Sequence, residues 1–293
     1  MAILTSKASN IPYPIQYYEL YKEAVLQKHF DTASYLSTTH TTRNTMRYFL
    51  YFAYDGTNYH GWQVQPNAVT VQLRLEEAMQ TLLRVPTPVT GAGRTDTGVN
   101  ARTMVAHFDT ETPLPDPAVF ADRLNRLLPP DIAVHRCVPV TDTAHARFDA
   151  TSRTYKYYAI DHKSPFAERY AWRYRGTLDF DAMNQAAEAL YRYTDFTSFS
   201  KLHTDVKTNN CCITYAHWEQ EGEGYTFTIT ADRFLRNMVR AIVGTLVEVG
   251  RHKITLDEFC AIIEGRDRGL AGTSMPGKAL FLHDVTYPEE LFL

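Results

Sequence analysis

The segment of residues 91–101 reads GAGRTDTGVNA and departs from what folding alone requires. Its glycines permit a sharp turn of the backbone and the close approach of a large ligand. Arg94 and Asp96 are two residues apart, so in an extended backbone both side chains project to the same side. An arginine beside an aspartate favours the ionised carboxylate. Asp96 is therefore a candidate nucleophile or base at neutral pH.

Two known glycine-rich motifs do not match this segment. A dinucleotide-binding fingerprint requires G-x-G-x-x-G at the start of a helix, whereas the glycines here are at 91, 93 and 98. A phosphate-binding loop requires Gly-Lys-Ser or Gly-Lys-Thr, which the segment lacks. The chemistry of these residues alone leaves an ordinary tight turn, held by an Arg–Asp pair, as an open alternative.

The composition indicates a folded protein. The 293 residues are 44% hydrophobic and 22% charged, which argues against a disordered or fibrous chain. The sequence shows no run of about 18 apolar residues and no signal peptide, so we expect a soluble cytoplasmic protein. Four cysteines without C-x-x-C spacing predict neither a disulfide scaffold nor a metal site: Cys137, Cys211, Cys212 and Cys260.

The charge is distributed unevenly along the chain. A net charge of −3 argues against a generally basic nucleic-acid binder. However, residues 147–175 contain seven Lys or Arg against three Asp or Glu, and residues 233–253 contain five basic residues against one acid. Such patches can bind phosphates. A solvated surface of mixed charge is the alternative.

The elements that would position Asp96 alternate between strands and helices. In the first half, the patterns predict strands over 47–54, 87–92, 103–108 and 132–138, and helices over 70–84 and 116–127. In the second half they predict strands over 154–160, near 171, and over 213–219, 225–230 and 281–285. Helices are predicted there over 181–191 and 234–249, with another beginning at 255–258.

These elements predict a division of the chain into three parts. Residues 1–45 are rich in Tyr, Thr and Ser, and we predict that they form a dispensable N-terminal extension. Residues 46–145 form a predicted N-terminal α/β domain that contains the Asp96 loop, and residues 146–293 form a predicted C-terminal α/β domain. The comparable content of the two halves suggests a duplicated architecture.

Five sequence blocks, in this order, resemble those of the bacterial tRNA pseudouridine synthase A family. They are DGTNYHGWQ at 55–63, GRTDTGV at 93–99, HARFDATSRTY at 145–155, DFTSF at 195–199 and NMVR at 237–240, continuing to Gly244. The resemblance covers nearly all of residues 47–287, and five ordered blocks are far more specific than one motif. Asn100 is a departure, because the family usually has His there.

The resemblance implies a fold and an activity. The fold would be α/β (α+β), with two similar domains forming one extended, mostly antiparallel sheet and a central basic cleft that binds RNA. The activity would be that of an isomerase that converts uridine to pseudouridine in the anticodon stem-loop of tRNA, at about positions 38–40, without a cofactor or metal. The family also implies a homodimer, and we expect binding to be salt-sensitive because phosphates dominate it.

The resemblance also implies roles for individual residues. Asp96 would be the nucleophile, Arg240 would form an ion pair with it, and Tyr155 would stack on the flipped uracil. Four further arginines would order the loop or contact the RNA: Arg94, Arg147, Arg153 and Arg236.

Alternatives remain for these assignments. In the predicted helix over 234–249, Arg236, Arg240 and Gly244 are four residues apart and lie off the apolar stripe, which is also typical of an ordinary exposed face. Tyr155 is also typical of a core residue in a strand. A non-catalytic tRNA-binding module, in which Asp96 is only a structural partner of an arginine, stays open, as does a nucleotide-dependent enzyme.

Overall fold

The computed structural model describes residues 45–201 and 208–293. Within these ranges the strands are β1 (Met46–Tyr54), β2 (Thr90–Gly91), β3 (Asn100–Thr110), β4 (Ile132–Val140), β5 (Ser152–Ile160), β6 (Trp172–Arg173), β7 (Ile213–Glu221), β8 (Gly224–Ala231) and β9 (Leu280–Thr286). The α-helices are α1 (Val71–Leu83), α2 (Pro117–Leu127), α3 (Phe180–Ala189), α4 (Met238–Gly250) and α5 (Leu256–Glu264). Residues 1–44 of the predicted extension lie outside the described residues.

The nine strands form one sheet. Its main path runs in the order β4–β1–β3–β9–β5–β8–β7, with β2 paired to β3 and β6 paired to β5. Neighbouring strands are antiparallel except for two parallel pairs, β3 with β9 and β5 with β6. Because β9 lies between β3 and β5, it joins the strands of the two halves of the chain. The predicted single, mostly antiparallel sheet is confirmed, whereas the division into domains at residue 145 stays a prediction.

Side-chain caps start three of the helices where the sequence predicts them. Thr70 accepts a hydrogen bond from a backbone N–H in the first turn of α1, and Asp116 does the same for α2. Thr255 and Glu258 form a reciprocal capping box at the start of α5. Each cap satisfies backbone donors that have no partner within the helix.

Two predicted boundaries are wrong. The helix predicted over 234–249 begins only at Met238, because Asn237 has a left-handed backbone conformation with φ of 67°. A right-handed helix does not continue through such a residue. Arg236 therefore precedes the helix, and the predicted helical face shared by Arg236 and Arg240 is wrong. The strand predicted over 87–92 is reduced to β2, Thr90–Gly91, before the chain turns.

Aromatic contacts join the helices to the sheet. Phe120 on α2 stacks on Phe108 of β3 with ring centroids 5.6 Å apart, and Phe180 on α3 meets Trp218 of β7 at 5.5 Å. These rings bury large apolar areas, which is the main favourable contribution to folding. In the described part of the chain, no helix combines the length and apolarity needed to cross a membrane.

Candidate active site

Asp96 lies on the loop between β2 and β3, and the first sequence block, together with Tyr54 just before it, holds that loop in place. The backbone N–H of Trp62 donates to the carbonyl of Thr95 at 3.2 Å, and the hydroxyl groups of Tyr54 and Thr95 are 2.8 Å apart. Gly61 has φ of 88°, and a Cβ there would lie 2.4 Å from the Thr95 carbonyl oxygen. Only glycine therefore lets the two segments approach so closely.

The carboxylate of Asp96 forms ion pairs with two arginines from the far end of the chain. Its Oδ2 is 3.0 Å from Nη1 of Arg240, and its Oδ1 is 3.8 Å from Nε of Arg236. Arg94, the nearest arginine in the sequence, forms no ion pair with Asp96 among the described residues. The tight turn held by an Arg94–Asp96 pair is therefore not what the structure shows.

Arg240 is oriented by the segment that packs against the first turns of α4. Its Nε donates to the carbonyl of Met275 at 2.5 Å, and the Met275 N–H donates to the carbonyl of Arg240 at 3.1 Å. This close packing depends on Gly244, because a Cβ there would lie 1.9 Å from the carbonyl oxygen of Thr273. The last sequence block thus supplies both the arginine and the glycine that allows its position.

One small pocket brings the predicted residues together. Arg94, Asp96, Tyr155 and Arg240 all line it, and its volume is about 30 Å³. Phe234 meets the ring of Tyr155 edge-on, with centroids 5.1 Å apart. The volume admits about one water molecule and is too small to enclose a nucleobase.

Tyr155 lies on β5 in the wall of this pocket. Burial raises the pKa of its hydroxyl to about 12, with a smaller contribution from the negative charge of Asp96. The phenol is therefore protonated at neutral pH. A neutral aromatic ring next to an ion-paired carboxylate is suited to stacking on a base and not to accepting a proton.

Arg153 does not occupy the position expected of a substrate contact. Its side chain is buried, with 9% of the residue exposed. The guanidinium donates to four backbone carbonyls at 2.5–3.2 Å: those of Ala92, Arg147, Ala150 and Asp232. Four of the five N–H donors of the guanidinium are therefore used within the protein, so the substrate contact stays a prediction that these hydrogen bonds do not favour. The contacts fit the other expectation, loop ordering.

The remaining predicted arginines are exposed near the pocket. Arg94, Arg147 and Arg236 all have exposed side chains. The pKa of Arg147 is lowered, first by partial burial of the guanidinium and then by the positive charges of Arg94 and Arg233. These cations therefore lie close together beside the Asp96 loop. Such a cluster attracts the phosphates of a nucleic acid.

Asn100 has a structural role that the sequence did not reveal. It is buried, and its amide oxygen accepts from the N–H of Gly56 at 2.8 Å while its amide nitrogen donates to the carbonyl of Lys278 at 2.8 Å. It thereby joins the first sequence block, β3 and the segment before β9. The sequence singled out the position only because the family usually has histidine there, and this did not indicate a structural role. For Met275 no sequence signal exists, because only its backbone is used.

A buried pair on α1 supports the strand before the Asp96 loop. Glu76 accepts hydrogen bonds from the N–H of Val89 and from the side-chain amide of Gln72, both at 3.0 Å. Gln72 also donates to the carbonyl of Val89 at 3.1 Å. Burial raises the pKa of Glu76 to about 7. The helical pattern of the sequence did not predict that these residues are buried, because both are polar residues within an amphipathic helix.

Comparisons with known proteins point to one family. A family model described as tRNA pseudouridine synthase matches residues 50–149 and 186–288. Relatives named tRNA pseudouridine synthase A include one from Parabacteroides distasonis, 63% identical over 246 residues, and one from Bacteroides thetaiotaomicron, 62% identical over 249 residues. These alignments cover 84% of this chain and 98% and 92% of the relatives. A relative from a Geobacter species is 43% identical over 243 residues.

The fold, the site and these matches define the chain as a pseudouridine synthase, an isomerase that acts on tRNA. More narrowly, the chain belongs to the tRNA pseudouridine synthase A family.

Proposed function

We propose that this enzyme converts uridine to pseudouridine in the anticodon stem-loop of tRNA, at about positions 38–40, with Asp96 as the nucleophile. The observation that carries the proposal is the pocket itself. It places an ion-paired carboxylate, an aromatic ring and two arginines together, and the carboxylate and its arginine partner are 144 residues apart in the chain. An ordinary turn does not require this convergence.

The reaction is an isomerisation, so no atom is gained or lost. The C1′–N1 bond of uridine breaks, the uracil rotates, and a bond forms between C1′ and C5. The proton that C5 loses is balanced by a proton gained at N1. Asp96 supplies the carboxylate that attacks the substrate, either at the base or at the ribose. Arg240 and Arg236 form ion pairs with that carboxylate and fix its direction.

Tyr155 supplies the stacking surface for the flipped uracil in this proposal. A base that leaves its stack loses favourable contacts, and an aromatic ring replaces part of them. Because the pocket has a volume of only about 30 Å³, we infer that binding of the uracil displaces side chains over the pocket. Phe234, whose ring lies against Tyr155, would be one of them. Arg94, Arg147 and Arg236 would then contact phosphates along a basic cleft.

We also propose that the enzyme works as a cytoplasmic homodimer in which one tRNA contacts both subunits. This proposal rests on the family resemblance. Phosphate contacts would make the affinity for tRNA fall with increasing salt. Light scattering of the purified chain, with and without tRNA, would test the dimer; a monomer at micromolar concentration would refute it.

The test of the function is pseudouridine formation in unmodified tRNA transcripts incubated with purified protein. Sites are mapped by carbodiimide-dependent stops in primer extension. Asp96→Asn removes the nucleophile but keeps the size of the side chain, and Asp142→Asn makes the same change on an exposed loop. We expect new stops in the anticodon stem-loop for the wild type and for Asp142→Asn, and none for Asp96→Asn.

Two results would contradict the proposal in different ways. Turnover by Asp96→Asn would refute the role of Asp96 as the nucleophile. A wild type that binds tRNA but modifies none of several transcripts would favour the non-catalytic binding module instead.

A further inference from the structure

Phe148 is an exposed aromatic residue next to the site, and the proposed mechanism does not use it. Its side chain is 74% exposed, although it lies within the third sequence block, HARFDATSRTY. A single exposed apolar side chain is common on protein surfaces and proves nothing alone. The hydrogen-bonded turn that holds Phe148 and the arginines near it are further observations that point to a ligand.

The turn of residues 145–149, which we call the Phe148 turn, is held rigidly. Nδ1 of His145 accepts hydrogen bonds from the N–H groups of Arg147 at 3.1 Å and Phe148 at 3.3 Å. The Asp149 carboxylate accepts from the N–H of His145 at 2.7 Å, and the Asp149 N–H donates to the His145 carbonyl at 3.0 Å. Burial lowers the pKa of His145, which keeps Nδ1 free to accept at neutral pH.

The Phe148 turn is tied directly to the Asp96 loop. Nη2 of Arg153 donates to the carbonyl of Arg147 in the turn and to the carbonyl of Ala92 at the start of the loop. One buried guanidinium therefore sets the position of the exposed ring relative to the catalytic carboxylate. Rigid presentation of an exposed ring lowers the entropy that binding would otherwise cost.

One cation lies against the Phe148 ring, and further positive charges lie near that cation. The guanidinium of Arg147 lies 5.7 Å from its centroid, in the range of a cation–π contact. Arg94 and Arg233 add positive charge beside Arg147. An aromatic ring beside clustered arginines matches the chemistry of a nucleic acid, in which flat bases alternate with phosphates. A purely apolar protein partner would not need these charges.

We propose that Phe148 stacks on a nucleobase of the tRNA, next to the uridine that enters the Asp96 pocket. When that uridine leaves its stack, a face of the neighbouring base is uncovered, and the ring of Phe148 replaces the lost contact. The inference rests on the proposed function, because it takes tRNA as the molecule at this site. Stacking tolerates any base, so the contact stabilises the opened RNA without selecting its sequence.

The test compares Phe148→Leu, which keeps an apolar side chain but removes the aromatic face, with Phe148→Trp, which keeps that face. Both changes are made in the Asp96→Asn protein, so that binding is measured without turnover. We expect Phe148→Leu to bind an unmodified tRNA transcript about 5- to 150-fold more weakly, because stacking on one base contributes about 1–3 kcal/mol. Phe148→Trp should bind within about twofold of the parent protein.

Fluorescence gives a second measurement. The tryptophan of Phe148→Trp should be quenched when tRNA binds, beyond any change from the three native tryptophans in the parent protein. Thermal unfolding of all variants should agree with the parent, since the side chain is exposed.

Equal affinity of Phe148→Leu and the parent protein, without quenching in Phe148→Trp, would overturn the stacking role while the proposed function stands. A parent protein that does not bind tRNA would overturn both proposals.

Discussion

Replacing Arg153 distinguishes a residue that orders loops from one that contacts RNA. In Arg153→Met the side chain keeps much of its length but loses every donor. Four backbone carbonyls lose a partner, and the hydrogen bonds to Ala92 and Ala150 are fully buried. Because each buried acceptor left without a partner costs about 1–3 kcal/mol, the two together cost about 2–6 kcal/mol of unfolding free energy. Removing a buried charge offsets part of this cost, so we expect a value near the lower end.

The assay is urea unfolding at neutral pH, followed by tryptophan fluorescence and circular dichroism. Arg153→Lys should be less stable than the wild type but more stable than Arg153→Met, because an ammonium group satisfies some of the carbonyls. If Arg153→Met does not fold, Arg153→Lys still shows whether loss of the guanidinium lowers the stability. Arg147→Met is the matched control, since Arg147 is an exposed residue, and we expect its stability to change by less than about 0.5 kcal/mol.

The salt dependence of tRNA binding completes this test. For Arg147→Met we expect the slope of log affinity against log salt to fall by about 1, as for the loss of one phosphate contact. For folded Arg153→Met, the slope of log affinity against log salt should equal that of the wild type. Wild-type stability together with a reduced slope in Arg153→Met would refute the buried role.

Two further predictions concern the pocket wall and the support of the loop. Tyr155→Leu should lower single-turnover rates about 5- to 150-fold while tRNA affinity changes little, whereas Tyr155→Phe should keep most of the rate, since it keeps the ring; normal turnover by Tyr155→Leu would make Tyr155 only a core residue. Glu76→Gln tests a titration, because burial raises the pKa of Glu76 from 4.5 to about 7. The folded state then binds the extra proton, so this contribution to stability is fully present below pH 4.5 and is lost as the pH rises through about 7. As the pH falls from about 7 to 4.5, the free energy of unfolding of the wild type should increase by roughly 3 kcal/mol relative to that of Glu76→Gln. If the two free energies of unfolding instead change in parallel with pH, Glu76 does not titrate in this range.

Local patterns in the sequence were enough to predict many of the elements and to single out Asp96 as the candidate nucleophile. The apolar run of β1 and the helical patterns over 70–84 and 116–127 predicted their elements closely, because strand and helix preferences depend on neighbouring residues. The unusual glycines around Asp96 marked the loop for the same reason. The five ordered blocks predicted the family.

Only the tertiary structure decided which residues far apart in the chain interact with each other. The carboxylate of Asp96 takes its partner 144 residues away, at Arg240, although Arg94 is nearer in the sequence. Arg153 resembled a surface cation in the sequence, but four converging carbonyls bury it. The left-handed Asn237 moved the start of α4 and separated Arg236 from the helix. A local pattern reports the preferences of adjacent residues, whereas burial and hydrogen-bond partners depend on how distant segments pack, so only the folded chain determines them.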